Sequence, residues 1–201
     1  GTLVSRASLH NADEIERKDI RIGDHVVVEK AGEIIPQVIE VVTEKRSPEL
    51  SKFHFPNICP TCQTALIRIK GEAVWRCPNY NCADQLKGRI EYFASRGCLD
   101  IDSLGEAVVS QLVDLKMVTN LDDLFRLNAS ELLKLEGFAE KSANNLVESI
   151  RKSRTQDFWR IICGLGIKHI GTSASKDLAR HFSNWRDLSS ATKDDFISID
   201  G

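Results

Sequence analysis

Apolar positions change their spacing three times along the chain. Over the first roughly 50 residues they come in β-branched runs, His25-Val26-Val27-Val28 and Val38-Ile39-Glu40-Val41-Val42, which predict strands. Ala31-Gly32 supplies a turn signal between the runs, and Val4 lies in a short extended start. Asn11 through Lys18 predicts a short helix, because Asp13-Glu14 early and Arg17-Lys18 late complement the helix dipole. Arg21-Ile22-Gly23-Asp24 then turns the chain into the next strand. Three strands are too few to close a barrel, so any barrel here is expected to be incomplete.

From Ser47 to about Lys87 the periodicity gives way to short turns around cysteine and proline, and from Gly88 the pattern is helical to the end. Ala107-Val108-Val109, Leu112-Val113 and Leu115 form an apolar stripe that Leu121, Leu124, Phe125 and Leu127 continue. Ser142–Ile150 and Ser173–Phe182 predict two further helices. This part also repeats itself. Segments beginning at Ile101, Leu135 and Lys168 each read as a helix end, a tight small-residue turn and a polar helix start. Phe196 to Gly201 resembles the opening of a fourth unit, cut off at its turn. A spacing of roughly 30 residues is what stacked helical pairs give.

Composition narrows the class. The 201 residues are 42% apolar and 28% charged, an ordinary globular balance. No stretch approaches the roughly 20 apolar residues a membrane helix needs, and the N-terminus has no secretory pattern. The chain lacks an initiator Met and stops at Ile199-Asp200-Gly201, so it is expected to be an excised piece. A net charge of −2 excludes a protein that holds nucleic acid by bulk positive charge, but not one that uses a local patch.

Four of the six cysteines form two knuckles, Cys59-Pro60-Thr61-Cys62 and Cys77-Pro78-Asn79-Tyr80-Asn81-Cys82, separated by 14 residues. Two such knuckles place four thiolates at the corners of a tetrahedron, the geometry of a closed structural zinc site. Val74-Trp75-Arg76 predicts a strand carrying the second knuckle. So small a segment has little core, and zinc would supply much of its folding energy. Cys98 and Cys163 each stand alone among apolar or small neighbours and read as buried small hydrophobes.

The glycine turns offer a way for an acidic chain to hold DNA. A turn through glycine just before a helix aims unpaired N–H groups outward at the positive end of the dipole, where a phosphate can sit. Such contacts cannot read bases, so binding would be sequence-independent. The candidates are Gly105, Gly137, Gly166, Gly171, Ser142 and Thr172, with Lys141, Lys168 and Lys176 beside them. Between Arg151 and Arg180 the bases Arg151, Lys152, Arg154, Arg160, Lys168, Lys176 and Arg180 face only Asp157 and Asp177. Ordinary helix capping uses the same Gly, Ser and Thr types. Ser103 replaces the first turn glycine of the opening unit and Ala139 the second of the next, so the third turn, around Gly166 to Gly171, is expected to make the stronger contact.

Several longer strings resemble the bacterial NAD-dependent DNA ligase family: Ser8-Leu9-His10-Asn11-Ala12-Asp13-Glu14-Ile15, Asp19-Ile20-Arg21-Ile22-Gly23-Asp24, and Lys30-Ala31-Gly32-Glu33-Ile34-Ile35-Pro36-Gln37-Val38. These resemble its oligonucleotide-binding (OB) barrel, Cys59, Cys62, Cys77 and Cys82 its zinc module, and Leu99 to Gly105 and Leu165 to Gly171 its helix-hairpin-helix domain. The resemblance implies a multidomain α+β chain: a partial OB-fold β-barrel over 1–52 with its first strands missing, a small four-cysteine zinc finger over 53–87, and an all-α helix-hairpin-helix domain over 88–201 with its last unit truncated. It implies a fragment of an enzyme of DNA replication and repair that seals nicks in duplex DNA by adenylate transfer from NAD, with Mg2+. The family's Lys-x-Asp-Gly string is absent, so no catalytic residue is assigned and the fragment alone is expected to be inactive. Structural zinc, nicked double-stranded DNA and the adenylation domain of the same full-length chain are the implied cofactor and partners, without a membrane, in the bacterial cytoplasm at the nucleoid. Arg21 and Lys30 are the barrel's DNA candidates. Two rivals stand beside this reading: a non-catalytic zinc and helix-hairpin-helix repair or recombination mediator, and a zinc-stabilised protein-interaction scaffold.

Overall fold

A computed structural model describes residues 3–31 and 35–199, residues 30 and 31 by their backbone alone. The predicted Ala31-Gly32 turn, the Lys30 side chain and the end of the fourth repeat therefore lie outside the described residues. The chain divides into two compact units, residues 1–79 and 80–201.

In the first unit, helix α1 (Ala12–Arg17) forms where its charges predict it. Asn11 Oδ1 accepts the Glu14 N–H at 3.0 Å, satisfying one orphan donor of the first turn. Strands β1 (Val26–Ala31) and β2 (Ile35–Val41) pair antiparallel, with Val26 opposite Val41 and a bulge between Val27 and Val28. Among the described residues, the short extended start around Val4 forms no strand. A single parallel bridge instead joins Ser8 and Gln37, where the Ser8 N–H donates to the Pro36 carbonyl and Ser8 O accepts from Val38. Pro36 has no N–H to extend that ladder.

Among the described residues of this unit only Val38 and Cys59 are buried. Charge does part of the work that apolar packing does elsewhere. Arg46 forks onto Asp24, Nε to Oδ1 and Nη2 to Oδ2, both at 2.8 Å, and reaches Asp19 Oδ2 through Nη1 at 2.6 Å. The Asp24 side chain is 1% exposed. The Arg46 guanidinium holds its carboxyl below the usual carboxylate range, and Arg21 with Arg46 does the same for Asp19.

The second unit is helical: α2 (Ala83–Ala94), α3 (Glu106–Asp114), α4 (Ala129–Leu132), α5 (Glu140–Ser153), α6 (Phe158–Gly164), α7 (Thr172–His181), α8 (Trp185–Ser190) and α9 (Lys193–Ile197), with a 3₁₀ turn over Leu121–Arg126. Helical structure thus begins ahead of Gly88, because Cys82 occupies the N-cap and Leu86, Ile90, Phe93 and Ala94 already follow the helical period into the core. Val109, Leu112 and Val113 of α3 and Ala143, Leu146 and Ile150 of α5 complete the same pattern. Leu115 leaves the predicted stripe. It follows the last turn of α3 and is 56% exposed. Helices pair as α2 with α3, α4 with α5 and α6 with α7, so each of the three repeats is a hairpin between packed helices.

Candidate metal centre and nucleic-acid interface

The first knuckle is shaped by main-chain bonds. The Cys59 N–H donates to Thr64 O, the Gln63 N–H donates to Cys59 O, and Gln63 turns the chain in the left-handed region at φ 59°. Strands β3 (Ile67–Arg68) and β4 (Trp75–Arg76) form a two-stranded ladder that delivers the second knuckle, as Val74-Trp75-Arg76 predicts. Cys82, extended at φ −63° and ψ 128°, opens α2. The sulfurs of Cys59, Cys62, Cys77 and Cys82 all lie within 4.8 Å of one another, and Cys62 and Cys77 approach to 3.5 Å. Tetrahedral zinc with bonds of about 2.3 Å requires sulfur separations of about 3.8 Å, so this donor set fits zinc with small adjustments. Burial pushes the Cys77 thiol up to about 12, while hydrogen bonding with Thr64 draws Cys62 down to about 6. Four soft ligands leave no open coordination position, which makes the site structural.

The three hairpins share one backbone geometry. The N–H groups of Leu104, Phe138 and Ile170 donate to the carbonyls of Ile101, Leu135 and Ile167 at 3.4, 3.3 and 2.9 Å. The residue before each donor is left-handed: Ser103 at φ 66°, Gly137 at 80° and His169 at 70°. The residue after it, Gly105, Ala139 or Gly171, is the N-cap of α3, α5 or α7. The third repeat is therefore in register from Ile167, not Lys168. Gly166 is not its turn glycine. It ends α6 at φ 65°, with its would-be Cβ 3.6 Å from the Tyr92 ring, and His169 takes the left-handed place.

The hairpins differ at the cap. In the second, the Ala139 N–H donates to Ser142 Oγ at 2.8 Å, and that hydroxyl donates back to Ala139 O at 2.9 Å. Ser142, expected at DNA, is committed to its own helix start. In the first and third, no side chain caps the helix, and among the described residues nothing accepts from the N–H of Gly105 or Gly171. Both glycines are exposed, with nothing within 4 Å of an added Cβ. Thr172, next in line, places Oγ1 3.8 Å from Cys163 Sγ.

Lys141, Lys168 and Lys176 are exposed beside the second and third hairpins, Lys176 with Nζ 4.8 Å from the Trp159 ring centre. The basic run is partly spent internally, which sequence reasoning missed. Arg160 Nη1 donates to the Cys98 carbonyl at 2.6 Å, Arg154 Nη2 donates to Phe125 O at 2.6 Å, and Arg151 and Arg180 pair with Glu148 and Asp177. Arg21, a barrel candidate, donates to Leu50 O at 2.7 Å and Asp19 Oδ2 at 2.9 Å, so its guanidinium is engaged within its own unit.

Comparison with known proteins identifies these parts. The family model of the NAD-dependent DNA ligase OB-fold domain matches residues 1–50, that of the NAD-dependent DNA ligase C4 zinc finger domain residues 59–83, and that of the helix-hairpin-helix motif residues 160–201. These matches define a class of chain in which an oligonucleotide-binding fold, a four-cysteine finger and helical hairpins follow in that order. The chain is 50% identical to DNA ligase 1 of Opitutus terrae over 197 residues, 98% of this chain and 29% of the relative. It is 47% identical to the DNA ligase of Carboxydothermus hydrogenoformans and 45% to that of Bacillus mycoides, each over 99% of this chain and 30% of the relative. Two parts of the chain thus match NAD-dependent DNA ligase domains, nearly all of it is similar to curated DNA ligases, and it spans about 30% of the length of those relatives. Among the described residues no helix is long and apolar enough to cross a membrane.

Proposed function

We propose that this chain is the part of an NAD-dependent DNA ligase that grips nicked duplex DNA by its sugar–phosphate backbone. The observation that carries the reading is the pair Gly105 and Gly171. Their φ angles of −89° and −91° suit any residue, and an added Cβ would meet nothing. Neither a left-handed φ nor close packing within the chain calls for glycine at these caps. Close approach of a phosphate to the open N–H groups does.

On this reading the first and third hairpins each offer main-chain amides at the positive end of a helix, and Lys141, Lys168 and Lys176 add charge nearby. The second hairpin, closed by Ser142, contributes through Lys141 alone. Zinc, held by Cys59, Cys62, Cys77 and Cys82, fixes the finger and takes no part in joining. NAD supplies adenylate to a ligase of this kind and Mg2+ assists its transfer. By its likeness to such ligases, the sites of those two cofactors lie mostly outside this chain, on the adenylation domain. The fragment alone binds and does not seal. Its setting is replication and repair at the bacterial nucleoid.

Binding of zinc-loaded chain to labelled nicked duplex over a salt series tests the proposal. Phosphate contacts require log K to fall linearly with log salt, by about 0.9 per phosphate neutralised, and Lys168→Glu should weaken nicked and intact duplex alike. No binding at low salt, or dependence on base sequence, would overturn it.

A further inference from the structure

Cys98 and Cys163, solitary in sequence, meet in the fold. Their sulfurs are 3.6 Å apart, with Cys98 donating to Cys163, and each residue is 1% exposed. Cys98 precedes the first hairpin and Cys163 lies in the last turn of α6, just ahead of the third. Two more hydroxyls surround the Cys163 sulfur, Tyr92 Oη at 3.5 Å and Thr172 Oγ1 at 3.8 Å. The Ser175 hydroxyl is fully buried and makes no hydrogen bond of its own, yet lies close enough to favour the Cys163 thiolate. That is more donor capacity than a neutral thiol uses.

We propose that Cys98 and Cys163 form a hydroperoxide-sensitive dithiol that closes reversibly to a disulfide between the first and third hairpin units. The polar nest gives the two sulfurs different roles. Burial opposes ionisation of Cys163, but the donors around it outweigh burial and bring its pKa below the ordinary thiol value, whereas burial raises that of Cys98. Tyr92 rises to about 12, chiefly through its hydrogen bond to Cys163, as expected of a phenol donating to an anion.

Cys163 is therefore the attacking thiolate. Its sulfur takes one oxygen of a hydroperoxide, breaking the O–O bond to give a sulfenic acid and, for hydrogen peroxide, a hydroxide that is protonated to water. The Cys98 sulfur then attacks that of Cys163 and expels the second oxygen as water, its own thiol proton balancing the step. Two thiols and one peroxide give one disulfide and two waters. Bringing the sulfurs from 3.6 Å to about 2.05 Å requires local movement of the two side chains and their neighbours. Access is short, since Tyr92, whose hydroxyl touches the target sulfur, is itself 43% exposed, and displacement of its ring admits a molecule as small as hydrogen peroxide.

The test treats zinc-loaded chain with hydrogen peroxide, confirms that zinc is retained, and maps tryptic peptides without reductant. The expected product is a cross-link between the peptides 97–116 and 161–168, two hydrogens lighter than their sum, which dithiothreitol reverses. In Cys98→Ser the link is lost and dimedone labels Cys163. In Cys163→Ser neither link nor label forms, and both variants should match the parent's circular dichroism. Absence of the linked peptide while zinc is retained would overturn the proposal, as would dimedone labelling of Cys98 in Cys163→Ser.

Discussion

Replacing Gly105 and Gly171 by alanine separates what the fold needs from what DNA needs. In the free protein the change should be nearly neutral. The added Cβ meets nothing within 4 Å and the φ angles are open to alanine. Restricting the unfolded chain stabilises by about 0.4–1 kcal/mol, and alanine's poorer standing as an N-cap costs a comparable amount. At the proposed phosphate contact the balance is different. A methyl group at the cap holds the anion away from an N–H whose charge-assisted hydrogen bond is worth about 1.5–3 kcal/mol. Each substitution should thus weaken duplex binding by roughly 10- to 150-fold, with melting temperature moved by only a few degrees. Fluorescence anisotropy with a nicked duplex at fixed salt, beside a thermal melt, measures both. No charge is removed, so the salt slope should stay close to the parent's, whereas Lys168→Glu should flatten it. Ala139→Gly serves as the control at the second hairpin, where Ser142 already occupies the cap N–H, and should gain little. Parental affinity in a folded Gly105→Ala, Gly171→Ala double variant would refute the reasoning.

Three further perturbations probe the scaffold. Cys77→Ser should release zinc and unfold the finger, read by metal content and by proteolysis over residues 47–87; unchanged zinc stoichiometry would count against the four-thiolate site. Gly164→Ala places a Cβ 2.9 Å from Phe93 Cδ2 and 3.5 Å from Cys98 Cβ, and such overpacking should cost about 1–3 kcal/mol in a denaturant titration, so a neutral result would mean the Phe93 ring yields freely. Arg46→Met leaves the buried Asp24 carboxylate with only the Arg21 main-chain N–H among its described hydrogen bonds, a loss of about 3 kcal/mol in the first unit. Because the folded pKa values of Asp19 and Asp24 are depressed, the parent's ion-cluster stability is full above the unfolded carboxylate value of about 3.9 and fades as pH falls through the lower folded values. Arg46→Met should lose much of that acid dependence, as a pH series of melts would record.

The parts of this molecule visible in its sequence are those fixed by neighbours a few residues away. Knuckle spacing, the β-branched runs and the helical period of Leu86 to Ala94 or Ala143 to Ile150 are local rules, and the elements follow them. The hairpins were legible as repeats but not in detail. Ser103 and His169 adopt a left-handed conformation that composition attributes to glycine, which hid the register of the third unit behind Gly166. What Ser142 does depends on the Ala139 cap it folds back upon, and glycine, serine and alanine at neighbouring caps read alike until the amide partners are known. The meeting of Cys98 with Cys163, and of Arg160 with the Cys98 carbonyl, spans more than 60 residues of chain, a separation that no pattern of apolar positions records.

The near absence of buried apolar groups in the first unit bears on how this protein unfolds. Heat-capacity change and denaturant sensitivity both scale with the surface newly wetted on unfolding. A unit whose described interior amounts to Val38 and Cys59 has little to wet. Its melting should be broad and calorimetrically faint beside the sharp transition of the helical unit, so a scan that shows one clean peak reports on residues 80–201 and says almost nothing about the strands before them.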